Sequence, residues 1–285
     1  MTGPGPDFRL MGIVNVTPDS FSDGGRYLDP QAAIEHALEL EREGAAILDV
    51  GGESTRPGAE PVSLAEELRR VVPVLEALAA KRGRARLSID TAKAPVAAAA
   101  LDAGATFVND VTALRHDPQM AELVARSGAD CCLMHMLGEP RTMQRNPRYE
   151  DVVGEVKAFL EARMAFAVAE GIAEERIVLD PGIGFGKKLE HNLELLRRLD
   201  ELLTLGRPVS IGTSRKSFLG RLTGREVGDR VAGTIATNVL AYERGARVFR
   251  VHDVAPVRDA LVVAAATVRG EWASTTPTSS TTSTT

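Results

Sequence analysis

Three polar residues interrupt apolar runs of this 285-residue chain: Asp90 in "ARLSID", Asn109 in "TFVNDV" and Asp180 in "RIVLD". A carboxylate, an amide and a second carboxylate on separate segments can together grip the edge of a flat heterocycle rich in N–H groups. A carboxylate facing such an edge forms paired, charge-assisted hydrogen bonds. Any one of them could instead cap a helix or end a strand in solvent, but that explains all three poorly. A second group lies further on. In "GTSRKSFLG", Ser214, Arg215, Lys216 and Ser217 open a helical pattern, so backbone N–H groups and a positive dipole end meet an incoming anion. In "RVHD", Arg250 and His252 are two residues apart and share one strand face. A lone Arg or Lys is usually surface decoration; this spacing favours an anion site. A third stretch, "GIVNVTPDSFSDGG", leaves an apolar run at Asn15 for a polar loop carrying Thr17, Asp19 and one aromatic, Phe21.

The glycines of "DPGIGFGKK" invite a nucleotide-loop reading, which their spacing rejects. They run G-x-G-x-G rather than G-x-G-x-x-G, and Gly182 to Gly186 leaves three residues where the Walker pattern has four. The stretch reads as a turn near a ligand with Phe185 as a contact, or as a Gly-rich turn with Phe185 packed inward.

These residues need elements to hold them. Eight short β-rich runs recur: "LMGIVNV", "AAILDV", "ARLSID", "TFVNDV", "ADCCLMH", "RIVLD", "PVSIG" and "RVFRVH". Between them lie stretches with helical spacing of apolar residues, from Ala32, Leu64, Glu155 and His191, several closing on a glycine (Gly44, Gly171, Gly206, Gly245). Apolar strands alternating with helices imply a parallel sheet covered on both faces. Eight units predict an α/β fold, a single-domain (β/α)₈ TIM barrel, with a doubly wound open sheet as the alternative. The runs end in or beside Asn15, Asp49, Asp90, Asn109 with Asp110, His135, Asp180, Ser214, and Arg250 with His252. In a parallel barrel those ends share one rim, where such enzymes place their chemistry.

Net charge is −5 and the sequence pI about 5.7, which disfavours nucleic acid or an anionic membrane as partner. No apolar run reaches the roughly 18 residues of a membrane span. Adjacent Cys131 and Cys132 suggest buried thiols in a reducing compartment, and the cytoplasm is the expected location. The barrel is expected over residues 1–270. Residues 271–285 include the Ser/Thr run "STTPTSSTTSTT" and are expected to be a disordered tail.

Taken in order, "NVTPDSFSDGG", "GGESTRPGA", "SIDT", "VNDV", "MHMLGEPRTMQ", "DPGIGFGK", "SRKSFLG" and "RVHDV" make the chain resemble the dihydropteroate synthases from about Leu10 to about Val268. These enzymes join a pterin diphosphate to p-aminobenzoate. One departure is Leu137, where a Gln is expected after "MHM". The resemblance implies a (β/α)₈ barrel, commonly a homodimer, with long mobile loops after strands 1 and 2. It implies that Asp90, Asn109, Asp180 and Lys216 bind the pterin, with Asp90, Asp180 and Lys216 catalytic. Asn15, Arg250 and His252 would serve the diphosphate, with Asn15 helping to hold Mg²⁺. Thr55, Arg56, Phe185 and Ser214 would surround the diphosphate and p-aminobenzoate, and Thr17, Asp19 and Phe21 would form a cover. The implied route is SN1-like loss of diphosphate, then attack by the neutral aniline on the pterin methylene. Two rivals remain at this point: a pterin- or methyltetrahydrofolate-binding methyltransferase barrel, and a pterin-binding barrel without turnover.

Overall fold

The structure is a computed structural model and describes residues 7–17, 30–56 and 58–270. Asp19, Phe21 and the 271–285 tail lie outside the described residues, as does residue 57 within the second loop.

Eight strands alternate with helices: β1 (Arg9–Asn15), β2 (Ile47–Gly51), β3 (Arg86–Asp90), β4 (Phe107–Asp110), β5 (Asp130–Met134), β6 (Ile177–Asp180), β7 (Ser210–Ile211) and β8 (Val248–Val251). All pairings are parallel, in the order β6-β5-β4-β3-β2-β1-β8-β7. Sequence neighbours pair from β1 to β6 and from β7 to β8, and β1 pairs with β8. The remaining seam is joined by a parallel bridge from Leu179 to Val209 and by the Leu179 N–H donating to Pro208 O at 2.9 Å. That is the expected closed barrel; an open doubly wound sheet has two unpaired edges.

Side-chain alternation builds two cores from one set of strands. Met11, Ile47, Phe107, Cys132 and Val248 point into the barrel and plug its lower end, with Val178 against them. Their sequence neighbours, among them Leu10, Leu48, Val108, Cys131 and Phe249, point outward under the helices. Both cysteines are buried and free. Two residues above the plug, the same inward register brings Asp49, Asn109 and Arg250 to the interior. The strand pattern that makes a dry floor therefore also makes a polar mouth.

The helices are α1 (Pro30–Glu43), α2 (Leu64–Ala80), α3 (Ala94–Asp102), α4 (Met120–Ser127), α5 (Val152–Ala169), α6 (Leu189–Arg197), α7 (Ser217–Thr223), α8 (Val231–Glu243) and α9 (Val254–Arg269). Ser63 caps α2, its Oγ accepting from the Glu66 N–H at 3.3 Å. The helical pattern expected from His191 is split: α6 ends at Arg197 and the chain tightens into a 3₁₀ turn over Leu199–Leu205. Arg198, at the break, binds Glu201 on its own turn and Asp151 at the cap of α5. Among the described residues, no helix is long and apolar enough to cross a membrane.

Candidate active site

Asp90, Asn109, Asp180 and Ser214 are all buried at the C-terminal rim. Asp90 and Asn109 sit side by side in register on β3 and β4, and Met134 pairs with Asp180 across β5 and β6. The residue that ties the mouth together is one to which sequence reasoning gave no role, Asp49. Its carboxylate is fully buried. Oδ1 accepts from Ser88 Oγ at 2.6 Å, and Oδ2 from Asn109 Nδ2 at 2.9 Å and Arg250 Nε at 2.7 Å. Arg250 then reaches Asp90 with Nη2, at 2.6 Å from Oδ2. Two carboxylates thus hold one guanidinium, and Asn109 spends an amide N–H on the same Asp49 oxygen. The available signal was an acid inside "AAILDV", in phase with inward-facing Ile47.

Burial and like charge set the protonation of this group. Asp90 is pushed from 3.8 up to about 7, chiefly by burial, against the pull of Arg250 and with the repulsion of Asp49, Glu67 and Asp110. Arg250 is driven further up despite its burial, because Asp49 and Asp90 flank it. Asp180 is also raised by burial; Lys216 and the Gly182 N–H, 2.7 Å from Oδ1, oppose that. The Lys216 ammonium is lowered to about 8 by burial, with Asp180 resisting and Arg250 assisting. Its Nζ donates to Ile183 O and lies 4.7 Å from the centre of the Phe185 ring. Gly212 lies between the two cations: a Cβ there would make ordinary contact with Lys216 Nζ at 3.7 Å and Arg250 Cβ at 3.9 Å. Val111, Met134, Met136 and Met143 form an apolar wall against which Phe185 packs, a second feature sequence reasoning missed.

Where the sequence places an anion corner, Ser214 and His252 come together. Ser214 Oγ lies 3.0 Å from His252 Nδ1 and accepts the His252 backbone N–H at 3.1 Å, joining the ends of β7 and β8. Burial lowers His252 to about 3, helped by Arg250, Arg215 and Arg56, so the imidazole is neutral. Arg56 is exposed and Thr55 half-buried on the loop after β2, with the Arg56 charge acting on His252. The helix expected to open at Ser214 begins at Ser217. Arg215 instead adopts a left-handed backbone, φ 56°, and its guanidinium forks onto Asp253. It is therefore a brace for the loop. The loop after β2 is anchored at its root: Lys93 bridges Glu53 and fully buried Glu67, and Arg70 Nη1 donates to Gly52 O at 2.8 Å. Thr17 is buried beyond β1, and Asn15 is half-buried at the end of that strand.

Fold and site define a (β/α)₈-barrel enzyme whose mouth gathers three buried aspartates, Arg250, Lys216 and the Ser214–His252 pair. Residues 11–252 match the family of pterin binding enzymes. The dihydropteroate synthase of Neisseria meningitidis serogroup B is 49% identical over 261 residues, covering 90% of this chain and 91% of the relative. The structure of the Xanthomonas albilineans dihydropteroate synthase with 4-aminobenzoic acid superposes with a TM-score of 0.84 at 52% identity, covering 90% of this chain and 91% of that one. The same enzyme in complex with 7,8-dihydropteroate gives 0.80 at 48%, with the same coverage. The chain belongs to the dihydropteroate synthase family of pterin binding enzymes.

Proposed function

We propose that this chain condenses 6-hydroxymethyl-7,8-dihydropterin diphosphate with p-aminobenzoate to 7,8-dihydropteroate, releasing diphosphate for folate synthesis. One observation carries the reading: Asp90, Asn109, Asp180 and Lys216, the groups suited to a pterin edge, open into the same mouth as the Ser214–His252 corner and Arg250. The relatives' complexes with 4-aminobenzoic acid and 7,8-dihydropteroate support it. A methyltransferase needs no anion corner.

Asp180 and Asp90 accept from the N–H edge of the pterin, Asn109 Oδ1 accepts a further donor, and Lys216 donates to a ring acceptor. Arg250 has Nε and Nη2 committed to carboxylates and turns Nη1 to the diphosphate. Ser214 Oγ–H donates to His252 Nδ1, which puts the ring proton on Nε2, and His252 donates that N–H to the same anion. The C–O bond at the pterin methylene breaks and its electron pair leaves on diphosphate. The methylene cation, conjugated to the electron-rich pterin, is stabilised by the two buried carboxylates. The lone pair of the neutral aniline forms the new C–N bond, and the nitrogen then loses a proton. No protein nucleophile is needed. The face of Phe185, held beside Lys216, is a platform for the aniline ring, with Thr55 and Arg56 supplied by the loop after β2.

Mg²⁺ fits this mouth as a companion of the diphosphate. Among the described residues there is no group of three or more His, Cys, Asp or Glu able to cage a metal. Asn15 offers one hard oxygen at the strand end, and Mg²⁺ ordinarily takes one or two protein oxygens plus phosphates and water. When bound it supplies positive charge to the leaving oxygens. The same reading places the enzyme in the cytoplasm as a homodimer; light scattering of the purified chain tests the dimer. The function is tested by measuring diphosphate release with and without p-aminobenzoate. Release that depends on p-aminobenzoate and yields dihydropteroate is expected. Pterin binding without turnover would overturn it.

A further inference from the structure

The loop after β6 has a feature that the reaction does not require by itself. Five consecutive carbonyls are each held by a different donor. Gly182 O accepts from the Phe185 N–H at 3.0 Å, Ile183 O from Lys216 Nζ, and Gly184 O from Gln144 Nε2. Phe185 O accepts from Lys187 Nζ at 3.0 Å, and Gly186 O from Tyr149 Oη at 2.8 Å. The loop also lies directly on the backbone that follows β5. A Cβ at Gly182 would fall 1.9 Å from His135 O, and one at Gly186 2.5 Å from Leu137 O. Both glycines have positive φ, 67° and 62°. A backbone so fully tethered has little freedom, and the side chain it presents to the mouth is Phe185.

Lys187 is the unusual member. It is buried, 3% exposed, and the acceptors around Nζ are His135 Nδ1 at 2.8 Å, Phe185 O at 3.0 Å and His135 O at 3.5 Å, with no carboxylate among them. Burying an ammonium against neutral acceptors is costly, and burial drives Lys187 well below its ordinary value. His135 is held neutral by burial and by Lys187, so Nδ1 accepts and the ring proton sits on Nε2. The ring packs edge-on to Phe159 at 4.8 Å. Lys187 therefore ties the end of β5 to the carbonyl of the residue whose ring faces the mouth.

We infer that Lys187, braced by His135, is a positioning residue for the second substrate: it fixes the Phe185 ring as a platform for p-aminobenzoate and contributes little to pterin binding. This rests on the proposed synthase activity. Removing the tether leaves Asp90, Asn109 and the apolar wall in place, and frees the platform.

The test uses the full chain with pterin diphosphate and p-aminobenzoate. In Lys187→Met, KM for p-aminobenzoate should rise about tenfold or more, the scale of losing orientation at a reacting partner. The Kd of pterin diphosphate, read by calorimetry without p-aminobenzoate, should stay within about twofold, since no pterin-binding group is removed. Tyr149→Phe deletes only the half-buried hydroxyl on Gly186 O; it should shift KM for p-aminobenzoate the same way by a smaller factor, and it decides the matter if Lys187→Met does not fold. Unchanged KM for p-aminobenzoate in the folded variants, or an equal loss of pterin affinity, overturns the inference. A wild-type chain that releases no diphosphate in response to p-aminobenzoate overturns the synthase reading instead, before any variant is compared.

Discussion

Asp49 touches no substrate in the proposed scheme, yet Asp49→Asn should change how pterin binding depends on pH. The substitution is isosteric. The new amide can place its oxygen toward Asn109 and Arg250 and its nitrogen toward Ser88, whose hydroxyl can turn to accept. The mouth keeps its shape and loses one negative charge. Two opposing effects follow. The bonds from Arg250 and Asn109 weaken from charge-assisted to neutral, a loss of about 1–2 kcal/mol, or roughly 5- to 30-fold in pterin affinity where Asp90 is ionised. Asp90 meanwhile loses a like charge. Taking the two carboxylates as roughly 5 Å apart across the guanidinium, an effective dielectric constant near 20 gives about 3 kcal/mol, which brings Asp90 from about 7 to roughly 5. Asp90 must be ionised to accept from the pterin. Wild-type affinity should therefore fall close to tenfold per pH unit below about 7, whereas the variant should hold its affinity to roughly pH 5. The two curves should cross, with the variant weaker at pH 8 and the stronger binder near pH 5. Calorimetry with one phosphate-free pterin across that range removes the ligand's own titration from the ratio. The sign for stability is consistent. The folded value of Asp90 lies above the unfolded 3.8, so its contribution to stability is fully present below 3.8 and is lost as pH rises toward 7. The variant should lose less over that window. Parallel binding curves would refute the reasoning, because they would mean that Asp49 and Asp90 do not share their charge through Arg250.

Lys216, lowered to about 8, should give pterin affinity an alkaline limb near that pH, and Lys216→Arg should remove the limb below pH ~10 because a guanidinium stays charged; calorimetry at pH 7 and 9 measures it. Arg250→Ala should weaken pterin diphosphate far more than the same pterin without phosphates; equal losses would take Arg250 out of the anion corner. Gly182→Ala should destabilise the fold by about 3 kcal/mol or more, seen as a large fall in Tm, since its Cβ would fall 1.9 Å from His135 O at a positive φ.

What the sequence disclosed follows from what strand periodicity can carry. Eight apolar runs ending in polar residues specify eight inward and eight outward stripes and one functional rim, and the barrel has both. Even the two-residue β7 was visible, because "PVSIG" keeps the pattern although little of it pairs. Asp90, Asn109 and Asp180 were legible because polar side chains inside apolar strands need a reason. Asp49 carried the same signal and still lacked a role. Its importance depends on the register that sets Arg250 and Asn109 on one of its oxygens, and register is a property of strand pairs. The Val111–Met134–Met136–Met143 wall was hidden because methionines in an apolar context read as core. Lys187 was hidden because a lysine in a polar, Gly-rich turn reads as exposed. The part played by Arg215 was hidden for a related reason: only the spatial neighbour Asp253 makes it a brace for the loop.

The mouth is built from charges that oppose one another before any substrate arrives. Buried Asp49, Asp90 and Asp180 face half-buried Arg250 and Lys216, and the set is one negative charge in excess if all are ionised. A pterin edge rich in N–H groups suits that excess; a diphosphate does not. On the proposed function the anion is met at the corner where β7 and β8 end, by a neutral His252, by Nη1 of Arg250, by Arg56 and by the cation it brings with it. On that proposal the two halves of one substrate meet opposite fields. In the proposed reaction, heterolysis of the C–O bond would move positive charge toward the carboxylates and negative charge toward Arg250 and Arg56, so both would act more strongly on the transition state than on the bound ground state. Arg250 stands between them, bonded to Asp49 and Asp90 on one side and turned to the anion on the other. That position explains why a residue expected only to read diphosphate is also the tie that orders the pterin pocket.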